Sequence, residues 1–164
     1  MEKITSCVSK ILEYVVGGLF LTIAATALAQ VLTRYVLRYS LVWAHELDIL
    51  LMIWAVWLSA AIGIYRKAHL RITLVSDLLS PEKRNFLVVF IDLFTLFLLI
   101  VLGMKGMGVV QSVEGMDLIS MPIPRGWVFA AAPAGAVFML FFFIPILLRD
   151  LKSLFVHSKE RREK

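Results

Sequence analysis

The sequence predicts an all-α integral membrane protein with four transmembrane helices. Three observations carry this reading. Of the 164 residues, 60% are hydrophobic and the mean hydropathy is +0.87, whereas a soluble domain is usually about 45–50% apolar. A chain of this length builds one domain, and a small domain has too much surface per volume to hide such an excess from water. The apolar residues also gather into four runs, each near the roughly 20 residues needed to cross about 30 Å of hydrocarbon. The charged residues stand between these runs. The net charge of +5 therefore reads as membrane-flanking charge, not as a basic face for nucleic acid.

The predicted spans are about 14–37, 42–65, 85–110 and 127–148, in a single membrane domain over residues 1–164. Lys3 and Lys10 ahead of the first run, with Ala27-Leu28-Ala29 inside it, have the form of a signal peptide. The apolar run continues through Val31, Leu32, Tyr35 and Val36, so it is read as a retained helix. Cys7 stands alone, which excludes an intrachain disulfide and a cysteine metal site.

Orientation follows from Lys and Arg, which favour the cytoplasmic side. The two termini and the middle loop together carry thirteen of them, and the other side carries four: Arg34, Arg38, Lys105 and Arg125. Both termini are therefore expected in the cytoplasm. In the middle loop, Leu74, Val75, Leu78 and Leu79 recur at helical spacing. A short amphipathic interfacial helix is expected over about 68–79, between helices 2 and 3. The alternation of Leu70, Ile72 and Leu74 offers a strand instead, but a lone strand beside a bilayer leaves its backbone unpaired. Ser80-Pro81-Glu82 reads as the start of the next helix, with an N-cap, a first-turn proline and an acid at the positive end.

The stretch "VWAHELDILLMIW" from Val42 sets His45, Glu46 and Asp48 against an apolar run. A zinc-protease helix needs a second His four residues after the first, and position 49 is Ile. His69 and His157 fall on the predicted opposite side, and no span carries a mid-membrane His for haem. No catalytic or metal-binding set is assigned, and no substrate contact can be read. Glu46 and Asp48 read as acids near the positive start of the second helix, and Trp43 as an interface anchor. Counting outward from a turn near Ser40, Arg34 falls opposite Glu46, so an ion pair from Arg34 to Glu46 or Asp48 is expected. Asp92 is the most deeply placed charge. A local pair with Arg66 or Lys67, or exposure near the interface, is favoured over a proton or ion relay, because few polar partners cross the bilayer with it. Gly103, Gly106 and Gly108 offer close helix approach or a fraying end. Pro133 and Pro145 are candidate kinks in the fourth span.

Together these landmarks resemble the small membrane subunit of TRAP transporters, the tripartite ATP-independent periplasmic uptake systems (the DctQ-like family). The matching features span almost the whole chain. They are Arg34 at the outer end of span one, "WAHEL", "GIYRKAHLRITLVSDLL" and "MPIPRGWVFAAAPAG". The second is similar to a Trp-x-Glu-Glu pattern, the third to Gly-x-x-x-Arg-x-x-His, and the fourth to Pro-x-x-Trp…Pro-x-Gly. Trp43, Glu46, Arg66, His69, Pro124, Trp127 and Pro133 carry over as landmarks with structural or partner-interface roles. One departure is His45, which stands where the family places a first acid.

The resemblance implies a non-enzymatic subunit in the bacterial inner membrane, beside a large membrane subunit and served by a periplasmic binding protein. It implies uptake of an organic acid such as a C4-dicarboxylate or sialic acid. It also implies sodium coupling in the large subunit and no cofactor on this chain. The residues agree on one point: transport sites usually need paired broken helices at the midplane, and the sequence offers none. The rival readings are a stand-alone four-helix exporter, whose first-span carboxylate would have to be Glu13 before the apolar run, and a scaffold subunit of another membrane complex. A membrane enzyme or electron carrier lacks the necessary ligands.

Overall fold

The structure, a computed structural model, describes residues 2–66 and 81–162, with side chains described over 3–66 and 87–151. Four helices fill it: α1 (Glu2–Tyr35), α2 (Val42–Tyr65), α3 (Pro81–Ser112) and α4 (Gly126–Arg162). Each is long and apolar enough to cross a membrane, as the four runs predict. No strand occurs among the described residues. The expected interfacial helix over 68–79, His69 and Lys67 lie outside them.

The helices overrun the apolar runs at the ends where charge gathers. α1 begins twelve residues before position 14, and α4 carries on past 148. α1 stops at Tyr35 because the chain then turns sharply. Arg38 adopts a left-handed φ of 52°, a conformation that non-glycine residues seldom take outside turns. The N–H of Tyr39 folds back on the Thr33 carbonyl at 3.1 Å. α3 opens on Pro81, whose missing N–H costs nothing in a first helical turn.

Contacts run from α1 to α2, from α2 to α4 and from α4 to α3. The helices thus form a row, with α2 and α4 central and α1 and α3 at the edges. Burial follows this order. Of each helix's apolar membrane-spanning stretch, 44% is buried in α4 and 28% in α2, against 6% in α3 and 0% in α1. The core joins Leu58 and Ile62 of α2 to Met139, Phe142 and Phe143 of α4, with Leu12 and Leu99 from the edge helices. Phe141 turns outward at 40% exposure, so the phenylalanine cluster divides between protein and surroundings.

Small residues let the helices approach, as interfaces inside membranes require. A Cβ on Gly135 would stand 2.9 Å from the Trp57 Cβ, so α4 presses directly on α2 there. A Cβ on Gly106 would stand 3.0 Å from Cδ of Pro133. The buried Pro133 ring thus fills a notch on α3, and α4 continues as helix through both Pro133 and Pro145. Of the three α3 glycines, Gly103 and Gly106 serve the α4 contact, and Gly108 faces open space.

Candidate functional site

The polar residues that the sequence singles out gather at the end of the row where the α1–α2 turn meets the α3–α4 loop. Two carboxylates of α2 organise this end, and they face opposite neighbours. Asp48 faces α1, where it accepts hydrogen bonds from Thr26 Oγ1 and from Gln30 Nε2, the latter at 2.6 Å. Glu46 faces the α3–α4 loop. Its two oxygens accept the backbone N–H groups of Ile119 and Ser120 at 3.0 and 2.8 Å. Two residues along a helix are turned by about 200°, which is why neighbouring acids serve different partners.

The loop that Glu46 holds has its own order. Leu118 N–H donates to the Ile123 carbonyl at 3.0 Å, and Arg125 N–H donates to the Met116 carbonyl at 2.8 Å. Asp117 and Pro124 pair as an isolated antiparallel bridge, and Gly115 supplies the positive φ of 80° that the turn needs. The Pro124 carbonyl accepts the Trp127 N–H at 3.0 Å, which starts α4. Trp54 Nε1 then donates to the Trp127 carbonyl at 3.0 Å, tying α2 to the start of α4. Trp43 and Trp127 stand 43% and 59% exposed at this same end, the arrangement of an aromatic belt at a membrane surface.

The expected ion pair from Arg34 to Glu46 or Asp48 is absent from the ion pairs among the described residues. Gln30 already lies level with Asp48. Arg34, one turn nearer the loop, therefore lies level with the start of α2 and short of Glu46. Glu46 and Asp48 lie just past the first turn of α2, and explicit donors hold them. Arg34 and Glu46 do share an open recess of about 420 Å³, walled by the end of α1, the turn, the start of α2 and the tip of the α3–α4 loop. His45 stands exposed at its rim.

At the opposite end, Arg66 joins α2 to α1 through Glu13, with its guanidinium 2.9 Å from Oε1. Ser9, only 1% exposed, donates to the same oxygen at 3.2 Å. Arg66 is thus engaged away from Asp92, which is half-buried on α3. The sequence reading gives Glu13 no partner and does not set Thr26 or Gln30 against Asp48. A signal was available: Thr22, Thr26, Gln30 and Arg34 recur every four residues and so form one polar line along α1.

Among the described residues, no group of three or more His, Cys, Asp or Glu could hold a metal ion. The arrangement clamps helices and a loop.

Residues 23–153 match the family described as tripartite ATP-independent periplasmic transporters, DctQ component. The sialic acid TRAP transporter permease protein SiaT of Haemophilus influenzae (strain 86-028NP) is 29% identical over 140 residues, covering 84% of this chain and 22% of that protein. The sialic acid TRAP transporter small permease protein SiaQ of Vibrio cholerae is 28% identical over 141 residues, covering 86% of this chain and 82% of that protein. The C4-dicarboxylate TRAP transporter small permease protein DctQ of Rhodobacter capsulatus is 28% identical over 124 residues, covering 74% of this chain and 55% of that protein. This chain therefore spans only a minor part of the first relative and most of the second. With the matched segment running through all four helices, the chain belongs to the DctQ component family of the tripartite ATP-independent periplasmic transporters.

Proposed function

We propose that this chain is the small membrane subunit of a binding-protein-dependent secondary transporter for an organic acid of the sialic acid or C4-dicarboxylate class. The family match over residues 23–153 carries the proposal. The chain's task is to pack beside a large membrane subunit and hold it in the bilayer, while that subunit binds and moves the substrate with sodium. Its own chemistry fits a supporting role, because its polar groups are spent on clamping helices to one another. The Haemophilus relative supports the physical association, since the matching segment is 22% of a much longer permease chain. The chain is not an enzyme in this reading, and it binds no cofactor of its own.

The subunit lies in the inner membrane with both termini in the cytoplasm, supported by the thirteen-to-four division of Lys and Arg. The end that Glu46 and Asp48 organise then faces the periplasm, where Glu114 and Arg125 of the α3–α4 loop are available to a binding protein. The direct test is co-purification. A tag on this chain retains a large polytopic membrane subunit encoded beside it, in fixed stoichiometry and through size exclusion. Recovery of this chain alone, while the large subunit purifies intact and active without it, contradicts the proposal.

A further inference from the structure

The outer face of α1 carries a pattern of its own, on the far side of the helix from the core. Leu12, Val16 and Leu19 pack inward, and Leu21, nine residues on from Leu12, is turned about 180° from it. A seven-residue repeat runs along this outer face. Ile4, Ile11, Gly18, Ala25 and Leu32 hold one position of the repeat, and Cys7, Tyr14, Leu21, Leu28 and Tyr35 hold the position three residues on. All of them are exposed. Every Ser, Thr, Gln and charged residue of α1 falls elsewhere on the helix. Apolar residues at these two heptad positions, kept up along a 34-residue helix, form the seam of a left-handed helix pair. Leu21 and Leu28 alternate along it with the small pairs Gly17-Gly18 and Ala24-Ala25, which let a facing backbone approach. A Cβ on Gly17 or Gly18 would meet nothing within 4 Å, whereas Gly103, Gly106 and Gly135 already abut neighbouring helices. The open faces of the other three helices are mainly large side chains, such as Met52 on α2, Phe97 on α3 and Val137 on α4.

Lipid does not account for this seam. From Ile4 to Tyr35 it runs about 46 Å at roughly 1.5 Å per residue, against roughly 30 Å of hydrocarbon. The exposed Glu13–Arg66 ion pair marks one edge of the hydrocarbon. Ile4 lies about 14 Å beyond Glu13 along the helix, yet it continues the same seam at 61% exposure. Acyl chains do not reach that level, and a helix running beside α1 does. A second copy of this chain fits the seam poorly. It would share the same orientation in the membrane, so Lys3 and Lys10, which flank the seam, would meet their own counterparts. Glu13 in the same stretch is taken by Arg66 and Ser9. In the Haemophilus relative the segment matching this chain is 22% of one longer permease chain, so there the rest of the permease is covalently joined to it. We propose that the outer face of α1 is the docking seam for one transmembrane helix of the large membrane subunit. That helix packs left-handed along α1, its side chains seated over Gly18 and Ala25 and between Leu21 and Leu28. This inference rests on the transporter reading and names the surface through which the two subunits meet.

The test is photocrosslinking in membranes of cells that make both subunits at full length. A benzophenone amino acid replaces Leu21 or Leu28 on the seam, or Met52, Phe97 or Val137 on the other helices, one at a time. The tagged chain is purified after illumination and its adducts are identified by mass spectrometry. The Leu21 and Leu28 sites are expected to link to one and the same helix of the large subunit. Gly18→Leu and Ala25→Leu are each expected to lower the large subunit recovered with the tagged chain by about tenfold, and Phe97→Leu to leave it unchanged. Thermal unfolding of the isolated Gly18→Leu chain stays at the wild-type midpoint, which separates lost docking from lost folding. The crosslinks need no assembly defect, so they decide the matter even if a variant misfolds. A large subunit that co-purifies but links only from the Met52, Phe97 or Val137 sites would overturn the seam and leave the transporter reading standing. So would links from Leu21 and Leu28 to a second copy of this chain or to lipid alone. A large subunit that purifies intact and active without this chain would sink the transporter reading itself.

Discussion

α4 and α1 are both long enough to cross a membrane, yet 44% of the apolar stretch of α4 is buried inside the chain and none of that of α1. The two helices are held by different means. α4 is fixed by shape: Gly135 presses on Trp57, Pro133 fills the notch at Gly106, and Phe142 and Phe143 close the core. α1 packs Leu12, with Val8, Val16 and Leu19, on the core and adds polar fasteners to α2, one pairing Asp48 with Thr26 and Gln30 and the other pairing Arg66 with Glu13. Inside a bilayer this contrast has a physical basis. Lipid tails are as apolar as leucine, so association depends on close packing and on hydrogen bonds between helices. A central helix has neighbours on two sides to pack against. An edge helix has one: α3 is seated by the Gly103 and Gly106 contacts with α4, and α1 adds directional bonds to its packing. The exposed faces left on α1 and α3 are the surfaces available to another membrane subunit.

The comparison is broken most sharply at the glycines. Gly135→Leu forces a large side chain into a gap already filled by Trp57. It is expected to cost about 3 kcal/mol of isolated-chain stability, the upper part of the usual overpacking range. Gly18→Leu on α1 meets nothing within 4 Å and is expected to stay within about 0.5 kcal/mol. Thermal unfolding of the two variants in detergent reads the difference. A Gly18→Leu chain that is stable alone but fails to assemble would mark α1 as the face toward the large subunit.

A loop-specific effect comes next. Glu46→Ala removes the acceptor of the Ile119 and Ser120 N–H groups. Water reaches this loop, so the expected loss is about 1–2 kcal/mol of local stability, read as about five- to thirtyfold faster amide exchange at those two positions. Arg34→Gln is expected to leave both amides at the wild-type rate, because Arg34 takes no part in the clamp. Smaller again is the α1–α2 fastener. A double-mutant cycle of Gln30→Leu with Asp48→Asn is expected to give a coupling of about 0.6–1.7 kcal/mol, the range of interhelical hydrogen bonds in membranes. The least effect is predicted for Arg66→Gln. Its guanidinium is 62% exposed, so the stabilisation from its pair with Glu13 is small and fades as salt is raised.

The four helices were legible because hydropathy and length alone decide them. The three glycines of α3 left close approach and a fraying end equally open in the sequence, and it is the Pro133 ring against Gly106 that selects close approach there. Counting outward from Ser40 gave the wrong partner for Arg34 but leads to the right one elsewhere. Glu13 lies 27 residues before Ser40 and Arg66 lies 26 after it, and these two do pair. The pairs that form, Gln30 with Asp48 and Glu13 with Arg66, centre about one residue before Ser40. That small offset sets Arg34 level with the residues just before Glu46, whose oxygens the α3–α4 loop takes. The partner of Glu46 had no signature to read. Its donors are backbone N–H groups 73 and 74 residues away, and nearly every residue carries such a group. The row order of the helices was hidden for a related reason: four apolar runs can pack in several orders, and small notches such as Gly135 against Trp57 select among them.

The central claim is that this chain supports a transport site located in another subunit. Reconstitution tests it most directly. Proteoliposomes are prepared with this chain alone, with the large membrane subunit alone, and with both, each supplied with a matching binding protein, a sodium gradient and labelled sialic acid or C4-dicarboxylate. The account predicts accumulation with both subunits, no accumulation with this chain alone, and uptake by the large subunit alone that is weak or absent. Gradient-driven accumulation by this chain alone would contradict it.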